Sequence, residues 1–168
     1  MEYKYKKQSG GHGQYGDVKI RFSPGEGDGL TFTQSVVGGS VPKNYFPAIE
    51  KGLLEAMQKG VLAGYPVVGL AADLYDGSYH DVDSNELSFK MAASLAYKAG
   101  LPLAKPVLLE PIATLKVVVP EGYTGDVMGE LNKRRARVMG MNPTDNGYQE
   151  IVADIPYCLL YTSPSPRD

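Results

Sequence analysis

Apolar and polar residues alternate with period two over Glu2–Lys7, Tyr15–Phe22 and Leu30–Val37, which predicts three strands. Glycine-rich turns such as Pro24-Gly25-Glu26-Gly27-Asp28-Gly29 separate them. The period then changes. Tyr45, Ile49, Leu53 and Met57 recur at helical spacing, widened by Phe46 and Ala56, and predict a helix with a core-facing side. Pro47 falls in its first turn, where a missing N–H costs nothing, and Gly60 reads as its stop. Tyr65–Tyr75 predicts the next strand. Asp83, with Glu86 three residues on, reads as the cap of a second helix whose buried stripe is Leu87, Met91 and Leu95, flanked by Ala92, Ala96 and Ala99. Gly100 and Pro102 end it. Strands followed by two helices predict an α+β sandwich with both helices on one sheet face.

Around Pro106–Pro111 the pattern restarts. Ile112–Val119 reads as a strand and Tyr123–Arg135 as a short helix with Val127, Met128 and Leu131 inward. Arg137–Met141 and Tyr148–Ile155 read as a hairpin around Asn142–Gly147. This β-α-β-β order is that of an incomplete ferredoxin-like unit, with its closing helix and strand expected to be missing. Tyr157–Asp168 shows neither period and ends in a Ser/Pro cluster, and the first strand opens without a lead-in, so a chain cut from something longer is expected.

Composition narrows the class. The chain has 168 residues, 43% hydrophobic and 21% charged, as in globular proteins. Its net charge of -2 announces no global field for nucleic acid, so an RNA partner would be met by local patches. One cysteine, Cys158, gives no disulfide framework and points to a reducing compartment. It has no His or Asp partner nearby in sequence, and no catalytic role is assigned to it. No apolar run approaches the roughly 18 residues of a membrane span, and Met1-Glu2-Tyr3-Lys4-Tyr5-Lys6-Lys7 is not a signal peptide. The expected location is the cytoplasm, with no membrane partner.

Both histidines lie in polar loops. The first loop is Gln8-Ser9-Gly10-Gly11-His12-Gly13-Gln14-Tyr15-Gly16, and the second is Asp76-Gly77-Ser78-Tyr79-His80-Asp81-Val82-Asp83-Ser84-Asn85-Glu86. The glycine run could cradle a phosphate, but it lacks P-loop or dinucleotide spacing and precedes a strand; a hairpin tip approached by a partner and an ordinary turn are its other readings. His80, Asp81 and Asp83 could form a metal or acid–base site, a solvated capping loop, or a contact with a polar partner such as RNA. The spacing alone does not bring three metal donors together, so no metal is expected. Lys133, Arg134, Arg135 and Arg137 close the short helix; some of that charge suits a helix C-terminus, and the rest reads as a phosphate-facing patch. A small His80/Asp81 acid–base enzyme and a generic RNA-binding module remain alternatives.

The two loops, together with Val37-Gly38-Gly39-Ser40-Val41-Pro42-Lys43 and Gly60-Val61-Leu62-Ala63-Gly64-Tyr65-Pro66-Val67-Val68, closely resemble the fourth domain of translation elongation factor G. Lys105-Pro106-Val107-Leu108-Leu109-Glu110-Pro111-Ile112 resembles the junction to its fifth domain, and Gly125–Arg135 that domain's first helix. The resemblance implies a fourth-domain-like unit over 1–108, part of a fifth domain over 109–156, and a tail over 157–168 foreign to the family, an artefact of the sequence end. The implied first fold is a ribosomal-protein-like β-α-β sandwich arm with a left-handed crossover.

The implied parent is a ribosome-dependent GTPase that moves tRNA and mRNA through the ribosome. Its GTP and Mg belong to a domain this chain lacks, since no Gly-x-x-x-x-Gly-Lys-[Ser/Thr] motif is present, so the fragment itself is expected to be neither an enzyme nor a cofactor binder. The resemblance puts Gln8, Ser9, Gly10, Gly11, His12, Gly13, Gln14, Ser78, Tyr79, His80 and Asp81 at a tip that meets tRNA and the decoding site. Lys133, Arg134, Arg135 and Arg137 would then face rRNA near the factor-binding centre, and the protein would be a monomer. Two departures point to a divergent member or a paralogue acting in recycling or protection. His12 stands where Arg or Lys is usual, and Ala136 where Gly is usual.

Overall fold

The computed structural model describes residues 2–7 and 13–160, and the chain divides into two compact units, Met1–Val107 and Leu108–Asp168. In the first unit the sheet order is β1 (Glu2–Lys7), β2 (Gln14–Pro24), β4 (Leu70–Ser78), β3 (Leu30–Gln34). β2 runs antiparallel to both β1 and β4, whereas β3 and β4 are parallel. The chain therefore crosses over between β3 and β4, and it does so through α1 (Phe46–Met57). α2 (Glu86–Gly100) follows β4.

One core joins these elements. Val18 and Ile20 of β2 and Leu70, Ala72 and Leu74 of β4 meet Ile49, Leu53 and Met57 of α1 and Phe89, Ala92, Ala96 and Tyr97 of α2. Both helices thus cover one face of the sheet. Burying each of the larger aliphatic side chains contributes about 1.5–3 kcal/mol. The approach is close. A Cβ on Gly16 would lie 2.7 Å from the Ser88 carbonyl oxygen, and one on Gly52 would lie 2.5 Å from that of Lys90. α2 is gripped by β2 on one side and α1 on the other.

That grip corrects the expected stripe of α2. Its buried face is Ser88, Phe89, Ala92, Ala93, Ala96, Tyr97 and Gly100, while Leu87 and Met91 are exposed. Small residues sit where backbones nearly touch, and the larger aliphatics are displaced outward. The cap is also corrected: Asn85, not Asp83, accepts the Ser88 N–H at 2.8 Å. β4 begins at Leu70 rather than Tyr65, because residues 60–67 close the end of α1. Val67 N–H donates to the Met57 carbonyl at 2.8 Å, and Gly60 N–H to that of Tyr65 at 2.9 Å. α1 itself stops at Met57, before Gly60, and β3 stops at Gln34, before Val37.

In the second unit, β5 (Ile112–Pro120), α3 (Thr124–Lys133), β6 (Arg137–Thr144) and β7 (Tyr148–Pro156) build an antiparallel sheet of order β5-β7-β6. This is the β-α-β-β part of a ferredoxin-like fold. Leu131 of α3 is buried against Ile151 and Ala153, with Val127 and Met128 beside it, as the pattern predicts. β6 runs on through Pro143, which an edge strand tolerates, and Asn146 and Gly147 turn the chain with φ of 67° and 76°. No element was expected beyond Pro156. Tyr157–Leu160 instead form a helical turn, α4, and Tyr157 N–H donates to the Pro111 carbonyl at 2.8 Å. No helix among the described residues is long and apolar enough to cross a membrane.

Candidate functional site

Two loops leave the same end of the first sheet, one between β1 and β2 and one between β4 and α2. Gln8, Ser9, Gly10, Gly11 and His12 lie outside the described residues; Gly13 and Gln14 are where that loop rejoins β2. The other loop carries Tyr79, His80 and Asp81. His80 and Asp81 are exposed, and Tyr79 is 45% exposed.

The loops are tied together by groups whose role the sequence did not reveal. Asp83, released from capping, accepts the Gly13 N–H through Oδ1 at 3.0 Å, and its backbone carbonyl accepts the Tyr15 N–H at 2.9 Å. Ser84 Oγ donates to the Tyr15 carbonyl at 2.9 Å and accepts the His80 N–H at 2.8 Å. Ser84 N–H in turn donates to the His80 carbonyl at 2.9 Å. The second loop is therefore closed on itself and stitched to β2. A Cβ on Gly13 would come within 3.0 Å of the Asp83 carboxylate, so glycine keeps this junction tight. Capping-box spacing masked this role of Asp83, because it assigned the carboxylate to the wrong neighbour. A pair of polar loops with a Ser and an Asp directly before the true cap was the available signal.

His80 sits on this base with its side chain 58% exposed. Its Nδ1 accepts the Val82 N–H at 3.4 Å and lies 3.6 Å from Asp83 Oδ2. The first contact needs an unprotonated Nδ1 and the second a protonated one, so this atom can be engaged in either state. Tyr15 lies beside it, ring centroids 6.4 Å apart and tilted by 59°. The Tyr15 hydroxyl shares a 2.7 Å hydrogen bond with Ser78 Oγ, and Ser78 donates to Asp17 Oδ2 at 2.7 Å. Asp17 is buried, so this chain of bonds fixes the ring from below. Ser78, expected at the tip, is half-buried among these hydrogen bonds; Gln14 accepts from the Tyr5 hydroxyl at 3.1 Å.

Farther from the tip, Lys19 Nζ donates to Asp76 Oδ2 at 2.9 Å and Ser40 Oγ to Asp76 Oδ1 at 2.9 Å. The Lys19 ammonium, aided by Gly77 N–H and Ser40, lowers the Asp76 carboxyl to about 2. Among the described residues no group of three His, Cys, Asp or Glu could hold a metal ion. A cavity of about 650 Å³ lies elsewhere, lined by Phe32, Val41, Lys43, Phe46 and Glu50.

The basic run of the second unit is largely partnered. Lys133 Nζ is 2.8 Å from Glu130, Arg134 donates to the Leu159 carbonyl at 2.7 Å, and Arg135 is 2.7 Å from Glu110. Lys133 holds the Glu130 carboxyl below its usual range, and Arg135 does the same for Glu110. Arg137 is exposed on β6. Such surface pairs are worth under about 1 kcal/mol each, so a phosphate can replace the carboxylate at little cost. The run also ends α3. Ala136 N–H donates to the Leu131 carbonyl at 2.9 Å and Arg135 N–H to that of Asn132 at 3.1 Å, a Schellman closure with Arg135 at φ 56°. Ala136 packs on the core around Leu131, the apolar contact this closure favours. Alanine there is no structural loss.

The comparisons with known proteins agree with this architecture. The family model for elongation factor G, domain IV matches residues 1–105, and that for the elongation factor G C-terminus matches residues 107–161. The second match reaches past Pro156, over the α4 turn. An elongation factor G-like protein of Thermotoga maritima is 53% identical over 156 residues, which cover 92% of this chain and 23% of that protein. A crystal structure from Thermus thermophilus superposes with a TM-score of 0.85 at 48% identity, covering 95% of this chain and 24% of that one. The chain thus spans about a quarter of the length of the relatives it matches. Two family models covering both units leave one assignment: this chain belongs to the elongation factor G family, as the part that carries its fourth domain and C-terminal domain sequence.

Proposed function

We propose that this chain is the ribosome-entering part of a translation factor that drives translocation of tRNA and mRNA, with the joined loops contacting tRNA and the decoding site. The observation that carries this reading is the stitched tip. Exposed Tyr79, His80 and Asp81 stand on a base locked by Asp83 and Ser84, a rigid presentation that no described residue encloses in a pocket. The mechanism is steric and electrostatic: the arm occupies space vacated by tRNA, while GTP hydrolysis, with its Mg, takes place in a domain outside this chain. Lys133, Arg134, Arg135 and Arg137 face rRNA near the factor-binding centre in this reading, exchanging carboxylate partners for phosphate. The factor acts as a cytoplasmic monomer.

Exposure of the His80 side chain (58%) counts against a small acid–base enzyme built on His80 and Asp81, which would need a pocket around them. A paralogue role in ribosome recycling or protection is the second reading, favoured by the elongation factor G-like name of the Thermotoga maritima relative. The test is His80→Ala in the full-length protein. Slowed translocation with unchanged folding supports the first reading. Wild-type protein active in ribosome splitting but not in translocation selects the second.

A further inference from the structure

The helices cover one face of the first sheet; within this unit no described element covers the other face, and it runs directly into the tip. Cross-strand partners share a face. The pairs Lys6↔Tyr15, Lys4↔Asp17 and Asp17↔Ser78 therefore place Lys4, Lys6, Tyr15, Asp17 and Ser78 together on the side opposite Val18. Lys4 and Lys6 are exposed.

Charge on this face is graded. Away from the tip, Lys19 is paired with Asp76 at 2.9 Å and Arg21 with Asp73 at 3.7 Å, and Glu2 stands opposite Lys19. Near the tip, neither Lys4 nor Lys6 has a carboxylate within ion-pair distance among the described residues; Asp17 lies buried beneath them. Lys4 Nζ sits 5.6 Å from the centroid of the Tyr15 ring, whose hydroxyl is pinned to Ser78 and which lies beside His80. Tyr15, then Asp17 and Glu2, hold Lys4 in its charged form, and neither carboxylate closes an ion pair on it. Ammonium groups left unpaired in this way beside a fixed aromatic ring are what the backbone of a nucleic acid strand requires: cations for phosphates, and a ring against sugar or base.

We infer that the β1–β2 face next to the tip binds the sugar–phosphate backbone of an RNA strand, with Lys4 and Lys6 as phosphate partners and Tyr15 as a fixed ring beside them. This rests on the reading of the tip as ribosome-facing, and extends the contact from the loops onto the strands. The path is short, because Asp76 and Asp73 neutralise the face farther on.

The test is ribosome binding by the full chain across a salt series. Lys4→Gln/Lys6→Gln should lower the slope of log affinity against log salt by about 1.4–1.8, since each lost phosphate contact removes about 0.7–0.9. Lys51→Gln/Lys98→Gln, which removes equal charge from the exposed surface of α1 and α2, should leave it unchanged. Equal effects of the two pairs would mean net charge alone and overturn the proposal. A photo-crosslinker at position 6 should label RNA, and exclusive labelling of a ribosomal protein would also overturn it. If a crosslinker at position 80 labels RNA while one at position 6 does not, the strand-face proposal falls and the tip reading stands. Absence of label from both positions removes the two together.

Discussion

Two aspartates show how neighbours set what a carboxylate does. Asp83→Ala removes the acceptor of Gly13 N–H and the charge beside His80. It should cost about 1 kcal/mol, read as a shift in denaturation midpoint at constant m, with amide shifts confined to the tip. Asn85→Ala should cost a similar amount, but through lost helicity at the start of α2. If the two variants disturb the same amides, the division of labour between them is wrong. Asp76 gives a pH signature. Its folded-state value of about 2 lies below the ordinary 3.8, so its stabilisation is present above 3.8 and is lost as pH falls through 2. The stability difference between wild type and Asp76→Asn should accordingly be constant near neutrality and shrink as pH falls from 3.8 towards 2. A difference that persists undiminished at the acid end would show that the Lys19 pair is not its source.

At the scale of elements, local chemistry decides more than period. Arg135 holds a left-handed φ of 56° that costs a side-chain-bearing residue roughly 1–2 kcal/mol. Arg135→Gly should relieve this and raise the melting temperature of the second unit, even though it deletes the exposed pair with Glu110. Ala136→Gly should not, because the position makes an apolar contact and has no positive φ. A higher melting temperature for Ala136→Gly than for Arg135→Gly would refute this account. The same logic explains what was legible in the sequence. α1 was readable because Ile49, Leu53 and Met57 are large and bury on one stripe. The stripe of α2 was not, because Gly16 and Gly52 bring backbone against Ser88, Phe89 and Lys90, and this close approach turns Ser88, Phe89, Ala92 and Ala96 inward in place of Leu87 and Met91. The start of β4 was obscured because Tyr65-Pro66-Val67-Val68 carries strand-forming residues whose backbone is committed to the end of α1. In the tip, polar composition marks the loop around His80 as a surface loop and only the family resemblance names its contact residues; the tie through Asp83 and Ser84 joins positions far apart in sequence and leaves no local pattern.

At the scale of the molecule, the two units differ in how much they bury. The first encloses Val18, Ile20, Ile49, Leu53, Leu74, Phe89 and Tyr97 in one cluster, while the cluster under α3 centres on Leu131, Ile151 and Ala153. Hydrogen exchange on the whole chain should therefore find the slowest amides in β2, β4 and α2, with β5, β6 and β7 exchanging faster. Equal protection of both sheets would show that the second unit draws stability from something other than this core.

The order of strands has a consequence for how the molecule is made. Gly13 and the Asp83 that fastens it are 70 positions apart, and α2, which closes the core, starts at Glu86, directly after the fastening loop. A growing chain can pair β1 with β2 early, yet neither the finished tip nor the finished core exists until the same short stretch has been added. Display of the exposed loop at 79–81 is thereby synchronised with completion of the fold. A product stopped before Asp83 lacks both, so an arm half built presents no counterfeit of the finished one.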